Sequence, residues 1–535
     1  MQKQISRQIF TKRDLPIMIS LGIFALILRL IRLFDLDVWL DEVVLLRMIE
    51  KSYIEIWSFC QTDNFPPLLP WMLKAWNSLF PGELSLRVFC TLLGALTPPA
   101  AYLLGKVVSG RNFGILIGVA CVVSAPLIYY SQMIRMYTLF PFFACLSFIG
   151  LIMGLRTNQW KYWILMAVAN LFGFYLFVFM LFMIMMEAIV LLIANKNWRT
   201  TLIRAIITHI PTVILVTIWV IPLFSRYQNL QESFWLKPVS YTHVGEVWYS
   251  LGSGTDFFDR YKLAALVNIP FLLGVGIGLK KFWKQDATRA AYLIFAGVII
   301  TVFVLSLKGQ NIFFKRYFMF LIPSYLAMVY WGWMSLQSGI IRRAGLVLTS
   351  ISLLVSVGYY YGSYLEYHQH YFFPVSETGA RASDGHAIKK LVTYISENSG
   401  DNDVILHYAH PEKRSFTFFS SVYYKQNDLP EYIYSAKAIP DHFGGQYMER
   451  DEWLRSLDDL NFQPTGIWVV SLDSLEAVFD KNYLGGRIRG WTWVQDENLP
   501  AEIYANHYVG FDTIRFGQVT AIHYAVDHNV ESPHE

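Results

Sequence analysis

The sequence predicts a polytopic α-helical membrane protein of about 11 transmembrane helices, carrying a C-terminal extracytoplasmic α/β domain. Three observations predict it. Of 535 residues, 54% are hydrophobic and only 16% charged, with a mean hydropathy of +0.36; soluble domains carry about 25% charged residues. Apolar stretches long enough to cross a bilayer recur through the first two thirds of the chain. Both features stop after about Glu377, where charged residues return.

The stretches are Leu15–Phe34, Val88–Val108, Phe113–Tyr130, Tyr137–Leu155, Tyr162–Phe177, Val178–Ala194, Ile206–Phe224, Leu263–Leu279, Ala291–Leu307, Phe318–Leu336 and Gly345–Gly362. No polar break separates the fifth from the sixth. Leu15–Phe34 exceeds the length of a signal-peptide core and no small-residue cleavage site follows, so it reads as a retained first span.

Lys and Arg set the orientation, because short cytoplasmic loops are enriched in them. Lys3, Arg7, Lys12 and Arg13 precede the first span. Lys106 and Arg111 follow the second, Arg156 and Lys161 the fourth, and Lys196, Arg199 and Arg204 the sixth. Lys280, Lys281, Lys284 and Arg289 follow the eighth, and Arg342 and Arg343 the tenth. Alternating spans put all of these on the inside. The segments 35–87, 131–136 and 225–262 then fall outside, and an odd span count carries 363–535 out as well. The expected organisation is a membrane domain, 1–362, and a soluble extracytoplasmic domain, 363–535. In the latter, Val404–Tyr408 and Ile467–Val470 read as short buried strands. His386–Glu397 reads as an amphipathic helix with Ile388, Leu391, Val392 and Ile395 on one side.

The formal charge of +4 and the absence of a basic run argue against nucleic acid. Cys60, Cys90, Cys121 and Cys145 form no CxxC pair, which argues against a zinc or redox motif. Cys121 and Cys145 read as small buried hydrophobes; Cys60 and Cys90 are spaced so that an outer disulfide is permitted.

Polar groups concentrate in the first outer loop. Asp41-Glu42 follows Trp39 and opens an amphipathic run, Val43–Trp57, expected to lie flat at the interface. A turn, Asp63-Asn64-Phe65-Pro66-Pro67, leads to a second run, Leu68–Phe80. Asp41 has two readings: a helix N-cap with Glu42 in the first turn, or a reacting carboxylate. Arg29, Arg32, Arg135, Lys315 and Arg316 lie near outer span ends. Each alone is explained by snorkelling; several on one face would form a phosphate site, since guanidinium groups pair with phosphate bidentately.

These pieces resemble, in order, the GT-C superfamily of membrane glycosyltransferases, in particular the bacterial relatives of protein O-mannosyltransferases and aminoarabinose or galacturonic-acid transferases. Arg29-Leu30 through Trp39-Leu40-Asp41-Glu42 resembles the family's first-span arginine and loop-one Asp-Glu. Asp63-Asn64-Phe65-Pro66-Pro67-Leu68 resembles its Pro-Pro-Leu turn, and Gly82-Glu83 to Arg87 its entry to the second span. Ser131-Gln132 to Arg135-Met136-Tyr137 resembles its Ser-Gln-x-x-Arg-x-Tyr. Phe234-Trp235-Leu236 resembles a middle-loop motif, and Arg316-Tyr317 with Pro323 a late span entry. The match runs from about Arg29 to Pro323.

The resemblance implies a GT-C fold in the bacterial plasma (inner) membrane. It also implies an inverting transfer of a sugar from a polyprenyl-phosphate donor to a protein, polysaccharide or lipid acceptor on the outer face. By the family's pattern Asp41 is the base that takes the acceptor's proton, with Glu42 positioning the acceptor or the loop. Asp63 and Asn64 fall to the sugar or a metal, Arg135 and Arg316 with Lys315 to the phosphate, and Glu83 and Tyr137 to substrate binding. No second, nucleophilic carboxylate is needed unless configuration is retained. Many relatives carry an acid just before the Arg-x-Tyr, where this chain has Met133. No cofactor is required, while Asp41, Glu83 and Asp63 offer oxygens to a divalent cation. The competing readings are a transporter or lipid flippase, and a non-catalytic GT-C relative whose C-terminal domain binds a partner.

Three remaining features have bland readings. His243 and Asp256 read as loop polar residues rather than acceptor contacts. His407-Tyr408-Ala409-His410 reads as a surface strand end. Glu187, inside the sixth span, reads as a structural acid.

Overall fold

The computed structural model describes residues 9–35, 38, 40–62, 65–194, 198–230, 239–254, 261–309, 311–364, 387–408, 416–434, 450–472, 475–479, 488–493, 503, 508–516 and 519–526. They form two compact units. The first comprises Met1–Leu33, Arg47–Glu232 and Leu236–Ser363; the second comprises Phe34–Leu46, Ser233–Trp235 and Tyr364–Glu535.

The first unit is helical. Its helices are α1 (Leu15–Leu30), the end of α2 (Leu40–Glu50), α3 (Tyr53–Thr62), α4 (Leu68–Asn77), α5 (Glu83–Gly94), α6 (Thr97–Ser109), α7 (Arg111–Val122), α8 (Ala125–Gln132) and α9 (Phe140–Thr157). They continue as α10 (Trp160–Leu176), α11 (Met180–Ala194), α12 (Trp198–Leu230), α13 (Tyr241–Gly252), α14 (Tyr261–Leu279), α15 (Asp286–Lys308), α16 (Ile322–Met334) and α17 (Gly339–Tyr359). Each of the eleven apolar stretches falls on helix. Among the described residues six helical spans are long and apolar enough to cross a membrane, α5 with α6 (Glu83–Ser109) counting as one, and α7 with α8, bent by 54°, makes up to a seventh. α1 and α11 are apolar but shorter.

Proline places several helix boundaries, since it lacks the N–H that the first turn leaves unused. Pro16, Pro98, Pro126, Pro141 and Pro323 all sit at the first or second helical position of their helices. The unbroken apolar run of the fifth and sixth stretches is interrupted between Leu176 and Met180. The tenth enters through a 3₁₀ segment, Lys315–Leu321, before α16. α12 exposes Ile203, Ile206, Ile207, Ile210, Val213, Ile214 and Ile218. That stripe of helical period requires an apolar surround, which a lipid provides. α14 and α16 approach closely at glycine: a Cβ on Gly332 would stand 1.8 Å from the Gly274 carbonyl oxygen, the small-residue contact that lets membrane helices close up.

The predicted basic loops meet on one face of this unit. Lys106 Nζ donates to Asp14 Oδ2 at 2.6 Å, and the Tyr102 hydroxyl donates to the same carboxylate. Arg111 donates to the Arg13 carbonyl at 3.0 Å and Arg156 to the Val107 carbonyl at 2.6 Å. Arg204 donates to the Asn158 carbonyl. The start of α1 therefore lies beside the ends of α6 and α9 and the starts of α7 and α12, as alternating spans require. Lys281 likewise joins the end of α14 to Ser335 at the end of α16, at 2.5 Å.

The run Val43–Trp57 is not one helix. It breaks at Lys51-Ser52, where Ser52 N–H donates to Glu55 at 2.8 Å and Glu55 N–H to the Ser52 hydroxyl at 3.3 Å. This reciprocal cap starts a new helix, α3, and Ser52 also draws the Glu55 carboxyl below its ordinary pKa. α3 and α4 then pack on the bundle through aromatics, with Trp57 stacked 5.8 Å from Trp71 and edge-on 5.2 Å from Trp219 of α12.

The second unit is an α/β domain. Its main sheet has the order β3-β2-β1-β4-β8-β7. The strands are β1 (Val404–Tyr408), β2 (Glu431–Tyr434), β3 (Trp453–Leu454), β4 (Gly466–Leu472), β7 (Tyr508–Phe516) and β8 (Val519–Val526). β3, β2, β1 and β4 are parallel; β8 and β7 run antiparallel. β5 (Leu475–Phe479) and β6 (Ile488–Trp493) form a separate pair. Alternate side chains of β1 and β4 serve opposite faces. Ile405, Trp468 and Val470 pack under the helix Ala387–Asn398, on its Ile388, Leu391, Val392 and Ile395 side. Val404, Leu406, Ile467 and Val469 fill the other face. The two strands and the amphipathic helix read from sequence are present within a residue or two.

This packing corrects one expectation. His407 is buried rather than on the surface, because it shares the helix-covered side of β1. Its Nε2 lies 2.6 Å from Glu431 Oε1 and its ring meets Phe418 edge-on. His410 lies outside the described residues.

Candidate functional site at the ends of the membrane helices

Opposite the basic face, the first unit gathers the ends of α1 and α17, the start of α5 and the segment after α8. The hub is Gln132. Its amide donates to the carbonyls of Arg29 at 2.8 Å and Ile31 at 2.9 Å, while its side-chain oxygen accepts from the Tyr360 hydroxyl. Its own carbonyl accepts from Arg87 at 3.2 Å, and Arg87 Nε is paired with Glu83 Oε1 at 2.8 Å. Tyr361 donates to the Leu28 carbonyl, and Arg32 to the Tyr361 carbonyl at 2.6 Å. Arg32 holds a left-handed φ of 55°, a conformation non-glycine residues adopt at a cost. The turn that ends α1 is thereby fixed from both α8 and α17.

Close approach makes this possible. A Cβ on Gly94 of α5 would stand 2.2 Å from Ser131 Cβ. Thr138 donates to the Cys90 carbonyl at 2.7 Å, and Thr91 to the Ser131 carbonyl at 3.4 Å. The Ser131-to-Tyr137 segment is therefore pinned against α5 at both ends.

The pinned segment carries Arg135, in extended backbone, followed by a single 3₁₀ turn, Met136–Thr138. That turn packs on the 3₁₀ segment Lys315–Leu321. Arg316 lies over three rings: Phe314 at 5.1 Å, Tyr317 at 5.7 Å and Tyr137 at 5.9 Å. Tyr137 and Tyr317 are stacked 6.5 Å apart, and both meet Phe177. Arg135 is 8% exposed and Arg316 7%. Two guanidinium groups, far apart in sequence, are thus held nearly dry on adjoining segments. Cation–π contacts favour the Arg316 cation by about 0.5–2 kcal/mol each. Lys315 is half-buried beside them. Arg29 does not snorkel: fully buried, it donates to the carbonyls of Ala25 at 3.1 Å and Cys121 at 3.4 Å.

Of the other expected site residues, Glu83 is engaged by Arg87, so its carboxylate positions the entry to α5. Asp41 and Glu42 belong to the second unit. Both lie in the first turn of α2, where the helix dipole favours carboxylates. Glu42 is 1% exposed and Asp41 half-buried. Asp63, Asn64, Asp256 and Phe234-Trp235-Leu236 lie outside the described residues. His243 is a helix cap, accepting from the Ser240 N–H at 3.0 Å. No disulfide joins Cys60 to Cys90; both are buried thiols. Among the described residues no three His, Cys, Asp or Glu side chains gather as metal ligands, and Met133 is buried.

Sequence reasoning named Arg135, Tyr137, Lys315 and Arg316. It missed Arg87 and Gln132 as a scaffold and Tyr360-Tyr361 as a brace. The signal available was the run Tyr359-Tyr360-Tyr361 at the end of the last span, the belt position for aromatics.

The fold resembles that of the GT-C superfamily of membrane glycosyltransferases. Residues 64–225 match the family model described as dolichyl-phosphate-mannose-protein mannosyltransferase. A crystal structure of ArnT from Cupriavidus metallidurans in the apo state is similar over 94% of this chain and 97% of its own, with 11% identity and a TM-score of 0.56. ArnT bound to undecaprenyl phosphate is similar over 96% of this chain and 99% of its own, with 11% identity and a TM-score of 0.54. At that identity the likeness speaks for the fold. A sequence search of curated proteins finds no match.

Proposed function

We propose that the chain is an inverting glycosyltransferase that moves a sugar from a polyprenyl-phosphate donor to an acceptor on the extracytoplasmic face of a bacterial plasma membrane. The observation that carries this is the pairing of the Arg135 and Arg316 segments, two nearly dry guanidinium groups at the membrane-helix ends. A lipid phosphate is the anion such a place suits. The family match over residues 64–225 and the ArnT-like fold support it. The side assignment rests on the basic loops gathered at the opposite face.

In this reading the acceptor hydroxyl attacks the anomeric carbon as the bond from that carbon to the phosphate oxygen breaks. The lipid phosphate leaves with its electron pair, its charge met by Arg135, Arg316 and Lys315, and the hydroxyl proton passes to a carboxylate, a role given to Asp41 by the family's pattern alone. The leaving group is already a stable anion, so no general acid is needed. One displacement inverts the anomeric centre. Glu42 positions the start of α2; Asp63, Asn64 and Glu83 are proposed on the sugar side, with Glu83 acting through Arg87. A divalent cation enters no step.

The test is sugar transfer from a synthetic polyprenyl-phosphate sugar in purified membranes. Asp41→Asn should abolish transfer while retaining lipid binding, and the product of the native protein should have inverted configuration. Unchanged transfer by the variant removes Asp41 from the mechanism.

A further inference from the structure

Four helices of the first unit meet at a fully buried carboxyl that the proposed chemistry does not use. Glu187 of α11 is 0% exposed. Its Oε1 lies 2.6 Å from Ser147 Oγ of α9, and its Oε2 lies 2.9 Å from Asn170 Nδ2 of α10. Ser147 Oγ is also 2.6 Å from Asn170 Oδ1. Asn170 Nδ2 lies 3.2 Å from His209 Nε2 of α12, and His209 Nδ1 is 2.8 Å from the Ala205 carbonyl.

Counting protons fixes the charge state. The Ser147 hydroxyl has one hydrogen but two oxygens at 2.6 Å, and Asn170 Oδ1 cannot donate. If Ser147 donates to Asn170, the contact with Glu187 needs a proton on the carboxyl. If it donates to Glu187, the Asn170 contact has no proton at all. Turning the Asn170 amide over does not rescue an ionised Glu187, because the amide oxygen would then face Oε2 at 2.9 Å and need the same proton. That orientation would also require His209 to donate from both ring nitrogens and carry a charge. The one arrangement with every contact satisfied and no charge is a closed ring. Glu187 O–H donates to Ser147, Ser147 to Asn170 Oδ1, and Asn170 Nδ2 back to Glu187. The second amide hydrogen goes to neutral His209, whose Nδ1–H donates to Ala205.

We propose that Glu187, Ser147, Asn170 and His209 form a proton-binding site within the membrane helices, holding Glu187 as the neutral acid and clasping α9, α10, α11 and α12 together. Charged side chains do not oppose this. Ser147 and Asn170 are the polar side chains facing Glu187 from α9 and α10, His209 is reached from α12 through Asn170, and α15 presents Gly297 to the neighbouring Met186. No Lys, Arg, Asp or Glu among the described residues faces the carboxyl. A lone carboxylate there would be buried without a counter-ion, which membrane interiors penalise strongly.

The test is an infrared difference spectrum between the native protein and Glu187→Gln, both reconstituted in lipid. The expected result is a protonated carboxylic-acid carbonyl band in the native protein at neutral pH, lost in the variant. A difference confined to the carboxylate bands overturns the proposal. Glutamine is a neutral isostere able to donate to Ser147 and accept from Asn170. Glu187→Gln should therefore keep the native unfolding midpoint; loss of folded protein in this variant also overturns it. Glu187→Leu, which breaks the ring, should lower the midpoint.

Discussion

The guanidinium of Arg316 lies over the ring of Tyr137, 5.9 Å from its centroid, although 179 positions of sequence, 316 less 137, separate them. This contact joins the segment after α8, which carries Arg135, to the segment before α16, which carries Arg316, the two arginines of the proposed phosphate patch. Arg316→Ala should weaken polyprenyl-phosphate binding by about 10- to 100-fold, the loss of a charge-assisted hydrogen bond of about 1.5–3 kcal/mol. Arg316→Lys should restore only part of it, since the bidentate fork is lost. Binding measured with a fluorescent polyprenyl phosphate checks this; equal affinity in all three proteins would detach the patch from the lipid.

Loss of the proposed base acts on rate rather than affinity. Asp41→Asn should lower kcat by about 10²- to 10⁴-fold with donor affinity within twofold of native. Single-turnover transfer beside the binding assay separates the two quantities. A variant that loses binding and rate together would instead mark Asp41 as part of the donor pocket or of the start of α2.

Glu83 should behave as a positioning residue. Removing it takes from Arg87, 1% exposed, the carboxylate at 2.8 Å and leaves it the Gln132 carbonyl at 3.2 Å, a loss below the about 3–5 kcal/mol of a fully buried broken pair. Glu83→Ala should lower the unfolding midpoint, while the conservative Glu83→Gln restores part of it by accepting from Arg87. If Glu83 touches only sugar, both variants will raise KM and leave the midpoint unchanged.

The C-terminal domain has an acid-sensitive staple. Burial raises the Asp403 carboxyl, but hydrogen bonds from His523, the Gly400 N–H and Thr465 outweigh it and leave the pKa below its ordinary value. A depressed carboxyl stabilises the folded form above its unfolded pKa of about 3.9, and that stabilisation is lost as the pH falls through the lower folded value. The protection of the β1 and β4 amides in the full chain, measured as exchange relative to the intrinsic rate at each pH, should therefore fall in acid. Asp403→Asn should lower that protection at neutral pH and flatten its acid dependence. An unchanged acid profile in the variant would assign the sensitivity to another group.

Each of the eleven stretches located by hydropathy lies on helix, because a bilayer demands about twenty apolar residues per crossing and satisfies no backbone group from outside; α13 (Tyr241–Gly252), in a predicted outer segment, is not among them. Charge in short loops chose which ends belong together, and the contacts of Lys106 with Asp14 and Arg156 with Val107 agree. Period and alternation found Val404–Tyr408 and the helix beneath which it packs. Ordered local motifs also named Arg135, Tyr137 and Arg316. Only tertiary structure decided that Gln132 is gripped by Arg87 and Tyr360, that Arg29 and His407 turn inward, and that Glu187 closes a ring with side chains of two other helices. Those outcomes depend on which distant groups come within about 3 Å. Sequence periodicity records the face a residue occupies, whereas a hydrogen bond requires the particular partner brought opposite it.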